Sequence, residues 1–431
     1  FSTMAHYTKQ EIIAMIEEED VEFIRLQFVD IYGMFKNMAV TASQLERILN
    51  NEMTFDCAAI EGFENKNHSK LVLAPDLDTF AIFPWRPQDH RVARFICDVR
   101  KLDGTPFRND SRYVLKKVLK EAAKEGYFFN AGPECEFFLF DLDESGNPTT
   151  NTSEKGSFFE VGPVDNGENA RREMVLSLSD MGFEIEASYH SDECAQHQID
   201  FKYDSPLNTA DNIMTFKLAV HTVARRHGMH ATFMPKPRAE LNGSGMYTHL
   251  TIYKDGNNIF ASDDTGKCSD IAYSFMAGLL HHLPGMMMIL NPVVNSYKRL
   301  YKLFDKMVAY DCSGGERYAL LQMTDIGRMG AGLVLKSPDA ACNPYLMLAV
   351  VISAGLDGIR GNMKLEYSDD YVRKLPRTLE EAVKEFEKDT FVQNVLGDSL
   401  SGKLITRKKN EWDEYSRQVS AWEIDKYLDR I

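Results

Sequence analysis

Residues 128–142 read Phe128-Phe129-Asn130-Ala131-Gly132-Pro133-Glu134-Cys135-Glu136-Phe137-Phe138-Leu139-Phe140-Asp141-Leu142. The aromatic and aliphatic content predicts a strand, punctuated at Gly132-Pro133. On a strand, residues two apart share a face and lie roughly 7 Å apart. Glu134 and Glu136 therefore present two carboxylates to one place. Such a pair raises its own pKa unless a cation neutralises it, so it marks a candidate divalent-metal site. A solvated strand face is the competing reading.

Working outward, helices and strands alternate around this stretch. Upstream, Ser111–Lys124 reads as a helix N-capped by Asp110 and ended by Gly126. Downstream come a helix at Asn169–Met181 and strands at Phe183–His190 and Gln196–Tyr203. A helix at Asp211–His227 follows, then strands at His230–Met234 and Met246–Tyr253. Next are a helix at Asp270–His282 and a strand at Gly332–Lys336, and helices dominate to the C-terminus. Nearer the N-terminus, Thr8 and Glu11 form a capping box before the Ile12, Ile13, Ile16 stripe. Phe23–Phe28 alternates with Ile24, Leu26 and Phe28 on one face, Gly33 turns the chain, and Met34–Val40 returns. Another strand is expected at Val92–Val99. This pattern predicts an α+β protein and not a doubly wound sheet, with a small domain over 1–104 and a larger one over 105–431.

Composition excludes several classes. The chain has 431 residues, 44% apolar and 26% charged, which is ordinary for a globular enzyme. Its formal charge of −15 speaks against nucleic acid, which needs a basic face. The longest uncharged stretch, Cys342–Leu356, is too short to span a bilayer, so no membrane partner is expected. Seven cysteines without a CxxC predict reduced thiols in a cytoplasmic setting and no zinc knuckle.

Two further segments could carry chemistry. In Asn242-Gly243-Ser244-Gly245-Met246-Tyr247-Thr248-His249, a Gly-rich turn lets backbone approach a ligand. The strand after it points Tyr247, His249 and Thr251 one way and Met246, Thr248, Leu250 and Ile252 the other. His249 alone reads equally as a structural histidine. In Asn295-Ser296-Tyr297-Lys298-Arg299-Leu300, Arg299 is placed to grip a carboxylate bidentately, against the alternative of a surface Arg.

Taken with Phe55-Asp56, Ile60-Glu61-Gly62-Phe63, Asn343-Pro344-Tyr345 and Gly355-Leu356-Asp357-Gly358-Ile359, these segments stand in the order of one family. Over nearly its whole length the chain resembles type I bacterial glutamine synthetases, most of all the short Gram-positive form. The resemblance implies an N-terminal β-grasp-like domain and a C-terminal catalytic-type domain with an antiparallel sheet and flanking helices. It implies a homo-oligomer, a dodecamer of two hexameric rings with sites between neighbouring subunits. It also implies ATP, Mg²⁺ or Mn²⁺, and a γ-glutamyl phosphate that ammonia attacks.

Carried over residue by residue, the resemblance gives Glu134 and Glu136 as metal ligands. Asp56, Asp305 and Arg317 match catalytic positions, with Asp305 standing in for the acidic flap residue. Asn242, Gly243 and Arg299 match substrate-binding positions, and His249 and Lys336 match cofactor-binding ones. At four other metal-ligand positions this chain has Ser191, Gln198, Tyr247 and Val334. Arginines that hold ATP phosphates correspond to Gln322 and Gly332, and an acidic residue near the ammonium corresponds to Lys70. None of the four replacements is a good ligand for a hard divalent ion.

The substitutions lead to an expectation that neither metal nor ATP binds tightly and that ligation is inactive or strongly impaired. The chain would then be a binding, regulatory or co-assembling subunit, with an active glutamine synthetase or a regulator as partner and a small amino acid as ligand. The alternative is an active ATP-dependent glutamate–ammonia or glutamate–amine ligase with a remodelled site, using Mg²⁺ or Mn²⁺ and ATP. Two narrower readings stay open: a metal-free lyase or hydrolase using Glu134, Glu136 and His249, and rescue of the metal site by a shifted carboxylate from Glu193.

Overall fold

The computed structural model describes residues 6–64, 69–261, 268–313, 315–325, 330–368 and 370–431. The fold is α+β. Helix α1 (Lys9–Glu18) starts at the Thr8–Glu11 capping box and buries Ile12 and Ile16. Strand β1 (Val21–Val29) turns at Gly33 into β2 (Phe35–Thr41), antiparallel to it. Ile24, Leu26 and Phe28 all face the core. Beside β1 runs β5 (Arg91–Arg100), in parallel, with Ile24 opposite Ala93 and Leu26 opposite Phe95. With β3 (Thr54–Asp56) and β4 (Lys70–Ile82) they form a five-stranded sheet in the order β2-β1-β5-β4-β3.

The second sheet has nine strands and is built on β6 (Tyr127–Asp141). Its neighbours include β10 (Met246–Lys254), β8 (Gln196–Phe201) and β9 (Met229–Thr232), all antiparallel to it. Strand β7 (Ile185–His190) lies beyond β8, and β14 (Ala331–Leu335) beyond β10. Then come β13 (Ala319–Asp325) and β12 (Val308–Asp311), the last pair being parallel. The short β11 (Asn257–Asn258) pairs with β10. The strand continues through Pro133 because that residue sits where its missing N–H is harmless. The β8 ladder covers only Glu136–Phe138, and the next contact on that flank is the Ala131–Asp204 bridge.

Several elements differ from the sequence expectation, each for a local reason. The expected helix at Asp211 begins earlier, as α5 (Pro206–Arg226): Ser205 caps it and Pro206 takes the first turn, where no N–H is needed. The expected helix ending at His282 runs on as α6 (Asp270–Leu290), straight through Pro284. The carbonyl of Leu280, four residues back, is freed by that proline and accepts the Tyr371 hydroxyl instead. Strand β4 was hidden by Pro75, Asp76 and Asp78; its register with β5 shifts between Asp76 and Ala81.

Helices α3 (Ser111–Lys124), α4 (Glu168–Asp180), α5, α6 and α8 (Pro344–Arg360) flank the second sheet in one continuous apolar core. A buried arginine joins the two sheets' layers. Arg112 on α3 bonds to Asp76 and Asp98 of the first sheet at 2.7 and 2.6 Å, and to both oxygens of Asp211 on α5. Asn343 adds bonds to the Asp30 and Ile31 carbonyls and to Ser111.

Candidate active site

The pleat of β6 does what its spacing predicts, and both glutamates face one region. The register sets Tyr247 opposite Glu134 and Val334 opposite His249, while Glu136 lies opposite Gln198. The positions that the resemblance gives as ligands, on β8, β10 and β14 and just after β7, thus lie around Glu134 and Glu136. Gly132 allows this packing: a Cβ there would come within 1.7 Å of the Tyr203 ring. That ring lies against the His249 imidazole, with centroids 5.2 Å apart.

The carboxylates differ sharply. Glu134 is partly exposed and bonds to His249 Nε2 at 2.7 Å. Glu136, also partly exposed, has both oxygens bonded: one accepts from Ser191 Oγ at 3.3 Å, the other from Gly245 N–H at 3.0 Å. Burial pushes its pKa up, and the Gly245 bond and the Arg299 charge only partly offset this. Gln198 donates to Asp200 at 2.7 Å, and Tyr189 donates to the same carboxylate at 3.1 Å. Burial first, then the charge of Glu134, raises Asp200. Burial and Glu136 push the Tyr247 phenol up to about 12, so it stays neutral. Val334 is buried and offers no donor atom.

A basic wall stands nearby. Lys336 Nζ donates to the Arg317 carbonyl at 2.8 Å and lies 5.9 Å from the Tyr247 ring. Burial lowers its pKa, and the Glu134 charge opposes that shift. Arg299, expected to grip a carboxylate, is held inward on α7 (Val294–Phe304). Its Nη2 donates to the Ser337 and Pro338 carbonyls, and its stem lies under Gly243, where a Cβ would meet it at 2.6 Å. Arg299 thus supports the glycine turn through Nη2, while its buried Nε has no hydrogen-bond partner among the described residues. Asn242 is pinned in turn by Glu193, which accepts its N–H at 2.9 Å. Glu193 thus has one oxygen on the glycine turn, and among the described residues no hydrogen bond joins it to Glu136.

The remaining expected residues lie apart. Asp305 ends α7 and pairs with Arg377 at 3.2 Å. Asp56 is exposed at the end of β3, accepts from Ala58 N–H and faces Lys70 across the ladder. Among the described residues no hydrogen bond or ion pair links either one to Glu134 or Glu136. Asp200 is the residue that sequence reasoning missed. Its signal was present, since it follows Gln198 by two on the same strand and so shares its face.

The expectation that no metal binds tightly finds no support. Among the described residues, one buried group brings ligating atoms within 4.8 Å of one another: Glu154, Asp165, His190 and His197. It lies outside the ligand set that the resemblance implies. Glu154 accepts from His190 Nε2 and from the N–H groups of Ala195, Asn166 and Gly167. Arg171 pairs with Asp165 and meets His197 Nδ1 at 2.8 Å. Arg can only donate, so Nδ1 accepts and the His197 proton sits on Nε2. As arranged, the group holds itself together, and an ion would have to displace Arg171 from His197. Among the described residues, no helix is long and apolar enough to cross a membrane.

Comparison with known proteins agrees with the fold. Residues 20–102 match the glutamine synthetase β-grasp domain and residues 108–427 the glutamine synthetase catalytic domain. A glutamine synthetase of Clostridium saccharobutylicum is 47% identical over 99% of this chain and 100% of its own length. One from Staphylococcus aureus is 44% identical, with 98% of each covered. Among solved structures, ligand-free GmaS has a TM-score of 0.86 at 30% identity, covering 96% of this chain and 99% of its own. Plasmodium falciparum glutamine synthetase, also at 0.86 but 21% identical, covers 99% and 100% and shares the fold. With both domains matched in order and near-complete coverage by these relatives, the chain belongs to the glutamine synthetase family.

Proposed function

We propose that this chain, with domains over 1–104 and 105–431, is a ligase-fold protein of nitrogen metabolism whose metal- and ATP-dependent ligation is strongly impaired. In this reading the pocket holds a small zwitterionic amino acid. Glu134 and Asp200 face its ammonium, and Lys336 and Arg317 face its carboxylate. The observation that carries this is the state of the four altered ligand positions. Ser191 is spent on Glu136, Gln198 on Asp200, Tyr247 keeps its phenolic proton and Val334 is buried hydrocarbon. That donor set does not fit two divalent ions, and with Gln322 and Gly332 in place of arginines it does not fit a triphosphate.

The relatives' name favours the other reading more directly. Chains 44–47% identical over nearly the full length are called glutamine synthetases. Similarity alone therefore supports an active ATP-dependent glutamate–ammonia or glutamate–amine ligase better than degeneracy, and it says nothing for a regulatory role. Within the site, Asp200 favours that reading too, as a third carboxylate near Glu134. A titration of the purified full chain with ATP and Mg²⁺ or Mn²⁺, followed by phosphate release with glutamate and ammonium, decides between them. Saturable micromolar metal binding with turnover would establish the ligase; glutamate binding without either would establish the impaired protein. The exposed Asp56, which has no bond to Glu134 among the described residues, fits a ring assembly in which a neighbour completes the site. That ring would be a cytoplasmic dodecamer, alone or co-assembled with an active glutamine synthetase or a regulator, and native mass spectrometry of the protein from its own cell tests it.

A further inference from the structure

Two cysteines 44 residues apart meet beside the start of α6. Cys268 bridges to Ala261 and directly precedes Ser269, the residue that caps α6. Cys312 follows β12. Cys268 Sγ donates to the Cys312 carbonyl at 3.8 Å, which sets the two cysteines side by side. Met276 brings a third sulfur, 4.0 Å from Cys312 Sγ, and the Tyr273 phenol also bonds to Cys312.

The two sulfurs are unequal. The proximity of Cys312 lowers the Cys268 pKa against the opposing effect of burial, while the same proximity and then burial raise Cys312. Cys268 also sits at the N-terminus of a 21-residue helix, where the dipole favours a thiolate. Cys312 is half-buried and the neighbouring Cys268 is 9% exposed, whereas Cys57, Cys97, Cys135 and Cys342 are at most 2% exposed. Cys194, the other half-buried cysteine, has its thiol pushed up by burial and has no sulfur partner among the described residues.

We propose that Cys268 and Cys312 form a dithiol that hydrogen peroxide closes to a disulfide and that a thiol reductant reopens. The Cys268 thiolate attacks one peroxide oxygen, the O–O bond breaks, and water leaves with one added proton, giving a sulfenic acid. Cys312 sulfur then attacks Cys268 sulfur, the S–O bond breaks, and the departing hydroxide takes the Cys312 proton as a second water. The two thiols are oxidised by two electrons and the peroxide is reduced by two. The bond would tie the first turn of α6 to the connection between β12 and β13. That connection carries Arg317, whose carbonyl holds Lys336. Closure therefore acts on the basic wall of the pocket, whatever reaction the pocket supports.

The test is peptide mapping of the full chain after brief treatment with hydrogen peroxide, with free thiols alkylated before reduction and new ones labelled after it. The expected result is one linked peptide pair, Cys268 with Cys312, about 2 Da lighter than the dithiol and restored by dithiothreitol. In Cys312→Ser, Cys268 should instead be trapped as a sulfenic acid by dimedone. In Cys268→Ser, oxidation of Cys312 should slow about tenfold or more. Full alkylation of Cys268 and Cys312 after peroxide, or oxidation confined to Cys194, would overturn the proposal even if neither variant folds.

Discussion

The reading of the pocket can be pushed hardest by putting its missing ligands back. Consider S191E, Q198E, Y247H and V334E in one chain. Ser191 and Val334 are 2% and 5% exposed, so two of the new carboxylates enter nearly dry surroundings. Q198E also replaces a donor to Asp200, now at 2.7 Å, with a second negative charge. Two unit charges about 4 Å apart repel by about 4 kcal/mol at an effective dielectric of 20. Without a cation the fourfold variant should therefore be destabilised by several kcal/mol, enough to lower its unfolding temperature clearly. With millimolar Mn²⁺ much of that loss is recovered, because ligand at a hundredfold above its dissociation constant restores about 2.7 kcal/mol. The native chain should gain less than about 0.5 kcal/mol from the same ion. Differential scanning calorimetry of both proteins, with EDTA and with Mn²⁺, reads all four values. A variant indifferent to Mn²⁺ would show that these positions do not face one site. A native chain stabilised as strongly as the variant would show that Glu134, Glu136 and Asp200 suffice, and the impaired reading would fall.

Three other expectations follow from the packing. G132A should cost about 3 kcal/mol, since the new methyl meets the Tyr203 ring at 1.7 Å; urea unfolding measures this, and Y203A in the same chain should recover part of the loss. R112M should cost about 3–5 kcal/mol by stranding Asp76, Asp98 and Asp211, whereas a surface change such as K124M should stay within about 0.5 kcal/mol. His282 bonds to Asp389 at 2.8 Å and Asp357 at 3.0 Å; burial alone would lower its pKa, and these bonds outweigh that and raise it. Its stabilising contribution is thus complete below about pH 6.5, the unfolded value, and is lost as pH rises through the higher folded value. Thermal unfolding temperature should fall over that window in the native chain and stay flatter in H282Q; equal slopes would remove His282 as the cause.

Local signals made most of the fold legible. The Thr8–Glu11 box, the Asp110 cap, the alternation at Ile24, Leu26 and Phe28, and the apolar run on β6 all appear as structure. What stayed hidden depended on distant partners. Nothing near Pro284 announces that Tyr371 will take up the Leu280 carbonyl, and nothing near Pro75 and Asp76 announces that β5 will accept a shifted register. The site divides in the same way. The facing of Glu134 and Glu136 follows from a period of two. That Arg299 spends its guanidinium on Ser337 and Pro338, or that Glu193 holds Asn242, depends on loops meeting from far along the chain.

The altered pocket also shows compensation and not simple loss. Relative to the ligand set that the resemblance implies, acids are gone at 191, 198 and 334, and arginines are gone at 322 and 332. Removing only the acids would leave an uncompensated basic patch, and removing only the arginines an acidic one; here both signs decline together. The remaining charges are then satisfied one by one. Ser191 and the Gly245 N–H cover Glu136, His249 covers Glu134, and Gln198 with Tyr189 covers Asp200. A buried carboxylate bereft of its cation and left bare would cost several kcal/mol, so decay alone would leave a strained site. A pocket whose every remaining carboxylate has found a neutral donor or an imidazole is stable without metal. In the proposed impaired reading, an ion entering the pocket would have to displace these same donors, and metal titration measures that cost.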